Sequence, residues 1–215
     1  KVILATGGFS ANKELLAKYA PGHEVLQTSN QMGATGDFVP VFEKLGFGME
    51  QMGKIRVIDL ILQPSRDLTN SAKGTVLVNK EGKRFVQEDG RRDVICCALI
   101  DQTDGLMYIL ESGDGNAVDP DELLTGDGHK ARDAEAQGYL LIADTREEMA
   151  AKIGCDAATL QATVDSFNEA VRAGEDEFGR KLYSTELTKG PWIACARVAC
   201  VHHTMGGIEV NTNTE

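Results

Sequence analysis

The stretch GTVLVNKEGKRFVQEDGRRD, residues 74–93, carries the clearest local signal in the chain. Two β-rich runs flank the polar quartet Asn79-Lys80-Glu81-Gly82, which predicts a β-hairpin with its turn at that quartet. Charge then concentrates in Arg84, Glu88, Asp89, Arg91, Arg92 and Asp93. Such a run reads by default as a solvated loop behind the hairpin. The functional alternative is an arginine, held by neighbouring carboxylates, that clamps an anionic substrate.

Beyond this stretch, RDVICCALIDQ (92–102) predicts a helix and GLMYILES (105–112) a strand. Residues 113–138 are rich in Gly and Asp and predict a surface excursion. A capping-box spacing, Thr145 to Glu148, opens a helix that Gly154 closes. In 156–174, Leu160, Val164, Phe167 and Val171 fall on one helical face, with Gly174 behind them. The last segment, PWIACARVACVHHTMGGIEV (191–210), is strand-like with a glycine break. Toward the start, KIRVIDLIL (54–62) predicts a buried strand. GATGDFVPVFEKLG (33–46) predicts an amphipathic helix on Val39, Val41, Phe42 and Leu45, with Pro40 in its first turn and Gly46 at its end. KVILATGGFS (1–10) predicts a short buried strand running into glycine, and ANKELLAKYA (11–20) a helix capped by Ser10 or Asn12. This order points to an α+β middle whose two flanks belong to something else.

Composition narrows the function classes. A net charge of −11 over 215 residues argues against nucleic-acid binding, which calls for a basic patch or stripe. Hydrophobic content of 42% with 26% charged residues describes an ordinary globular domain. No run of about 18 apolar residues is present to span a membrane. The abrupt first and last residues, with no leader-like pattern, lead us to expect a piece of a longer protein. The five cysteines form no CxxC pair and are expected to be scattered small thiols rather than a disulfide framework or zinc site.

Three glycine-bearing segments could carry chemistry. ILATGGF (3–9) ends a hydrophobic run in Gly7 and Gly8, where backbone N–H groups can approach a phosphate or ribose. There is no GxGxxG in the chain, so a complete dinucleotide fingerprint is missing. In GATGD (33–37), Asp37 suits either a helix cap or an acceptor for a cofactor hydroxyl. VHHTMGG (201–207) holds two of the four histidines. Adjacent histidines on a strand point to opposite faces, so no metal site is expected there. A binding histidine before a glycine turn and a plain turn are the two remaining readings.

Taken in order, LATGGFS, TSNQMGATGD, LVNKEGKRFVQEDGRRD and VHHTMGG resemble the flavoprotein subunits of the fumarate reductase and flavocytochrome c family. That family includes urocanate, methacrylate and related enoate reductases, with 3-oxosteroid dehydrogenases as more distant relatives. The resemblance implies an α+β capping domain inserted into a Rossmann-like FAD-binding domain. Residues 1–54 would then be FAD-domain material, 55–190 the cap, and 191–215 the return. It further implies that the glycine-rich phosphate loop and a C-terminal flavin-completing region lie outside this stretch. FAD would be the cofactor of the full-length protein and would not be retained by these residues alone.

The family's F-x-N-E-x-x-x-R-D pattern falls on Phe85, Glu88, Arg92 and Asp93, with Gln87 in place of Asn. The resemblance thereby makes Arg92 the catalytic proton donor to the substrate α-carbon, while reduced flavin N5 gives hydride to the β-carbon. A guanidinium keeps its proton to about pH 12, so this role needs immediate reprotonation through a relay. His203 maps onto the substrate-carboxylate histidine. Thr69, Asn70 and Lys73 map onto a Thr-Glu-x-x-Arg substrate segment. Asp37, Gly7, Gly8 and Thr204 map onto the cofactor contacts. Two departures bear on the substrate. Asn70 stands where the family has a glutamate, and an amide cannot shuttle a proton as a carboxylate does. Ile58 stands where fumarate-type members have histidine. The implied activity is reduction of an α,β-unsaturated carboxylate, with an electron donor that could be haem, FMN or a redox partner. Periplasm, cell surface and cytoplasm all fit. The alternatives are a 3-oxosteroid-type dehydrogenase, for which no tyrosine falls in the matched motifs, and an isolated inactive module.

Overall fold

The computed structural model describes residues 3–62, 75–114, 120–121, 130–138, 140–181 and 185–213. Its elements in chain order are α1 (Lys13–Tyr19), β1 (Gln27–Thr28), α2 (Val39–Leu45), β2 (Met49–Glu50), β3 (Ile55–Leu62), β4 (Val76–Asn79), α3 (Arg92–Ile100), β5 (Leu106–Glu111), α4 (Ala131–Ala136), β6 (Leu140–Ala143), α5 (Arg146–Ile153), α6 (Ala157–Ala173), β7 (Trp192–Thr204) and β8 (Gly207–Ile208). The chain divides into two compact units, one of residues 1–58 and 200–215, the other of residues 59–199.

The larger unit is a mixed helix and sheet structure. β5 is antiparallel to both β4 and β7, and β6 pairs antiparallel with the opposite edge of β7. The registers align Val76 with Leu110 and Ala194, and Val78 with Tyr108 and Ala196. Because side chains alternate along a strand, these residues share one face. Met149, Ala150 and Ile153 of α5 and Leu160, Val164 and Phe167 of α6 pack onto it. Both helices start as their sequences predict. Thr145 and Glu148 form the reciprocal capping box, and Asp156 accepts from the Thr159 N–H at 2.8 Å. α3 packs against β5 with Ile95, Cys96 and Leu99 buried.

In the smaller unit, Leu15 and Leu16 of α1 and Val39 of α2 join Phe9, Met52 and Val201 in a separate core. β1 runs parallel to the end of β7, and β2 pairs with β8. Asn12, rather than Ser10, caps α1 by accepting from the Leu15 N–H.

Several sequence expectations are corrected. The hairpin does not form: β4 pairs with β5, and no strand follows the turn at 80–82. The Asn79 side chain accepts from the N–H groups of Glu81 and Lys83, and the chain then leaves the sheet. Residues 3–9 are not a strand, and Ile3 is 91% exposed. On α2 only Val39 and Phe42 turn inward, whereas Val41 and Leu45, four residues apart, share an outward stripe. The 113–138 excursion contains α4, whose Ala131 and Ala134 are buried.

Candidate cofactor and catalytic sites

In the smaller unit, glycines from three separated segments meet. The loop Thr6–Phe9, the turn at Gly36 and the Gly206–Gly207 break line one cleft of about 40 Å³, with Phe38, Phe42, Met49 and Met52 on its apolar side. Close approach requires these glycines. A Cβ on Gly8 would lie 2.1 Å from Thr204 Oγ1. One on Gly206 would lie 2.4 Å from the Met52 Cα, and one on Gly36 would lie 2.5 Å from the Phe9 Cβ. The Phe9 N–H donates to Thr204 Oγ1 at 3.2 Å, which ties the first glycine loop to the end of β7. Gly7 adopts a left-handed φ of +69° and, like Gly207, has open space where a side chain would stand. Bare backbone at Gly7 and Gly207 is a surface on which a flat or phosphorylated group can rest closely. These residues therefore fit a dinucleotide cofactor in chemistry. The cleft is small against such a molecule and could hold only part of it.

The histidines sit beside this cradle, in the same unit. Ser29 Oγ lies 2.7 Å from His202 Nδ1, and the Asn30 amide donates to the His202 carbonyl and, at 2.9 Å, to Ser10 Oγ. Thr28 Oγ1 and the Ser29 N–H both donate to the Val201 carbonyl. His202 is half-buried and His203 exposed. Their ring centroids are 3.9 Å apart, which corrects the opposite-face expectation. Alternation fixes the Cα–Cβ directions, whereas each imidazole is free to swing toward the other beyond its Cβ. Residues 28–30, which fasten the histidine strand, had no role assigned from sequence. Their signal is three consecutive short hydrogen-bonding side chains before a glycine-rich turn.

Asp37 caps no helix. The N-cap position of α2 is Phe38, without a side-chain bond, and Asp37 accepts from Thr35 Oγ1 at 2.7 Å. A residue one position too early cannot reach the first free N–H groups of the helix.

In the larger unit, Arg92 occupies the first turn of α3 and is exposed. The neighbouring carboxylate is engaged elsewhere. Arg91 binds Asp93 through two bonds of 3.0 and 2.7 Å, and this holds the Asp93 carboxyl below its ordinary value. The segment leading to Arg92 is not the solvated loop its charge suggests. Arg84 makes a bidentate pair with Glu88 at 2.7 and 2.8 Å and a further bond to Asp176 at 2.7 Å. Arg180 approaches Glu88 at 3.4 Å and donates to the Thr75 carbonyl at 2.6 Å. All four side chains are at most 4% exposed. Burial opposes the charge on Arg84, yet the two carboxylates hold its guanidinium above the usual arginine value. Phe167 lies beneath both guanidinium groups, 5.5 Å from Arg84 and 5.0 Å from Arg180. Two cations and two anions thus neutralise one another, which is what burial of such groups demands.

Thr69, Asn70 and Lys73 lie outside the described residues. Among the described residues no three His, Cys, Asp or Glu side chains group to hold a metal ion. All five cysteines are free thiols; Cys96, Cys195 and Cys200 are buried and Cys97 is exposed. No described helix is long and apolar enough to cross a membrane.

The chain belongs to the FAD binding domain family, whose model matches residues 1–215. It is 34% identical over 224 residues to urocanate reductase of Eggerthella lenta, covering all of this chain and 36% of that protein. To the NADH:fumarate oxidoreductase of Klebsiella pneumoniae it is 33% identical over 219 residues, covering all of this chain and 23% of that one. The open conformation of a flavocytochrome c3 fumarate reductase superposes with a TM-score of 0.82 at 30% identity, over 99% of this chain and 37% of that chain. The chain therefore spans roughly a quarter to a third of the length of these curated relatives.

Proposed function

We propose that this chain is part of an FAD-dependent reductase that saturates the C=C bond of an α,β-unsaturated carboxylate. Residues 55–190 form its capping domain, and residues 1–54 and 191–215 belong to the FAD-binding domain. The observation that carries the reading is the meeting of Gly7, Gly8, Gly36, Gly206 and Gly207 around one cleft, with Thr204 against Gly8. These positions come from the sequence segments that resemble the family. FAD, when bound, would supply the two electrons and the hydrogen delivered as hydride to the substrate β-carbon.

The chain's own residues supply the rest. The backbone of residues 6–8 and 206–207 bears the cofactor, with Thr204 holding the first loop in place. Asp37 keeps one carboxylate oxygen clear of Thr35 for a cofactor hydroxyl. By the family resemblance His203 is assigned to the substrate carboxylate, and Thr69, Asn70 and Lys73 are likewise assigned to substrate binding. Arg92 holds the proton that goes to the α-carbon, and it recovers one from solvent or a relay after each turnover. Its positive charge also favours the enolate-like charge that develops as hydride arrives. The substrate gains one hydride and one proton, so charge and electrons balance. Asn70 and Ile58, in place of an acid and a histidine, favour an unsaturated acid other than fumarate.

The test is Arg92→Ala in the full-length protein, assayed with fumarate, acrylate and urocanate and reduced methyl viologen as donor. We expect turnover of the accepted substrate to fall by about 10²–10⁴-fold with flavin content unchanged. Near-normal turnover overturns the assignment. Activity confined to a 3-oxosteroid overturns the substrate class.

A further inference from the structure

We propose that Asp89 is a positioning residue for Arg92, fastening the loop that presents the arginine to the segment 176–181. This rests on the assignment of Arg92 as proton donor. Asp89 stands three residues before Arg92, at the point where the loop turns into α3. Both of its carboxylate oxygens are occupied. Gln87 Nε2 donates to Oδ1 at 2.8 Å, and the Lys181 N–H donates to Oδ2 at 2.8 Å. The first bond folds the loop on itself, together with the Gly90 N–H donating to the Gln87 carbonyl at 3.1 Å. The second reaches across 92 residues of chain to the end of the segment that follows α6.

That segment is itself immobilised by the buried ions. Asp176 receives Arg84 at 2.7 Å and the Phe178 N–H at 2.7 Å, and Arg180 faces Glu88. The loop is therefore tied to 176–181 at three successive points, Arg84, Glu88 and Asp89, in a line that leads to Arg92. The first two ties are buried and set the fold of the unit. The third is half-buried, lies nearest the helix start and adds no burial of its own. Arg92, by contrast, is exposed and makes no hydrogen bond or ion pair to another described residue, so its placement comes from the backbone beneath it. A proton donor misplaced by about 1 Å can lose about 100-fold in rate, which gives a tie at this position its consequence.

Asp89→Ala removes both acceptor oxygens, so neither the Gln87 amide nor the Lys181 N–H has an acceptor left at this position. In the full-length protein, assayed with reduced methyl viologen and whichever unsaturated acid it accepts, we expect kcat to fall on the order of 10- to 100-fold. KM, flavin content and thermal midpoint should stay near those of the parent. The solvent deuterium isotope effect on kcat should rise, because proton delivery becomes slower relative to the other steps. An unchanged kcat, or a fall matched by lost flavin or lost folded protein with the isotope effect unaltered, overturns the proposal. Arg92→Ala, measured alongside, separates the two levels of inference. If that variant is inactive while Asp89→Ala is normal, only the positioning role fails. If it turns over normally, the donor assignment fails and the positioning role with it.

Discussion

The two units solve the problem of holding charge and backbone in different ways. The larger buries two arginines and two carboxylates among aromatic rings and closes a core between its sheet and the α5–α6 pair. The smaller uses almost no buried charge; it brings backbone to backbone at Gly8, Gly36 and Gly206. It also leaves large apolar side chains uncovered, among them Ile3, Val25, Met32, Leu45 and Phe47. Buried ions fix one chain segment against another through side chains, whereas glycine contacts let two stretches of backbone approach directly.

The sharpest way to break the contrast is to unbalance the ion cluster. Asp176→Ala leaves Arg84 short of one counter-charge in a side-chain environment without solvent, and we expect a loss of about 3–5 kcal/mol. Trp192, the only tryptophan in the chain, lies in the core of the same unit and reports the transition by fluorescence in denaturant. A change too small to shift the midpoint would show that the cluster is not the structural anchor of its unit.

Gly8→Ala should cost less, about 1–3 kcal/mol, since its Cβ must displace Thr204. The loss should fall on flavin retention in the full-length protein, measured by released-flavin absorbance. Combining it with Thr204→Ala should recover part of that retention, because the clashing hydroxyl is gone. Equal losses in the single and double variants would mean that the close approach is not what Gly8 serves.

The smallest effect concerns Glu111, on the opposite sheet face from the α5–α6 core. Burial pushes its carboxyl above the ordinary 4.5, with the Arg197 charge opposing. A raised folded-state value means that stability is fully present below about pH 4 and falls as pH rises through that value. Glu111→Gln removes the penalty, so the variant should be slightly more stable than the parent at pH 7 and equal to it near pH 4. A variant less stable at pH 7 would show that the pairing with Arg197 outweighs burial.

Helix limits were legible because capping and periodicity are local. Thr145 with Glu148, Asp156, Asn12 and the terminal glycines act within a turn of their own position. The hairpin at 74–86 was misread because both flanking runs have β propensity, yet only Val76–Asn79 finds a partner, and that partner is β5. Strand propensity declares fitness for a sheet and does not say which strand will be the neighbour. Residues 3–5 make the same point: an apolar run that reads as strand stays exposed. Among the candidate site residues, Arg92 and His203 rest on motif order alone. The role of Thr28, Ser29 and Asn30 in fastening the histidine strand arises from contacts about 172 residues apart, and their run of short polar side chains does not name that partner.

The sequence by itself determined the family, the helix boundaries and the positions of the glycines, because each depends on residue identity at short spacing. Tertiary structure alone decided that Arg84 and Glu88 are interior rather than solvated, since only the return of residues 176–180 supplies the opposing charges. It also decided that Gly8 lies against Thr204 and that Ser29 meets His202. Those are distances between chain segments, set by packing, and no local pattern encodes them.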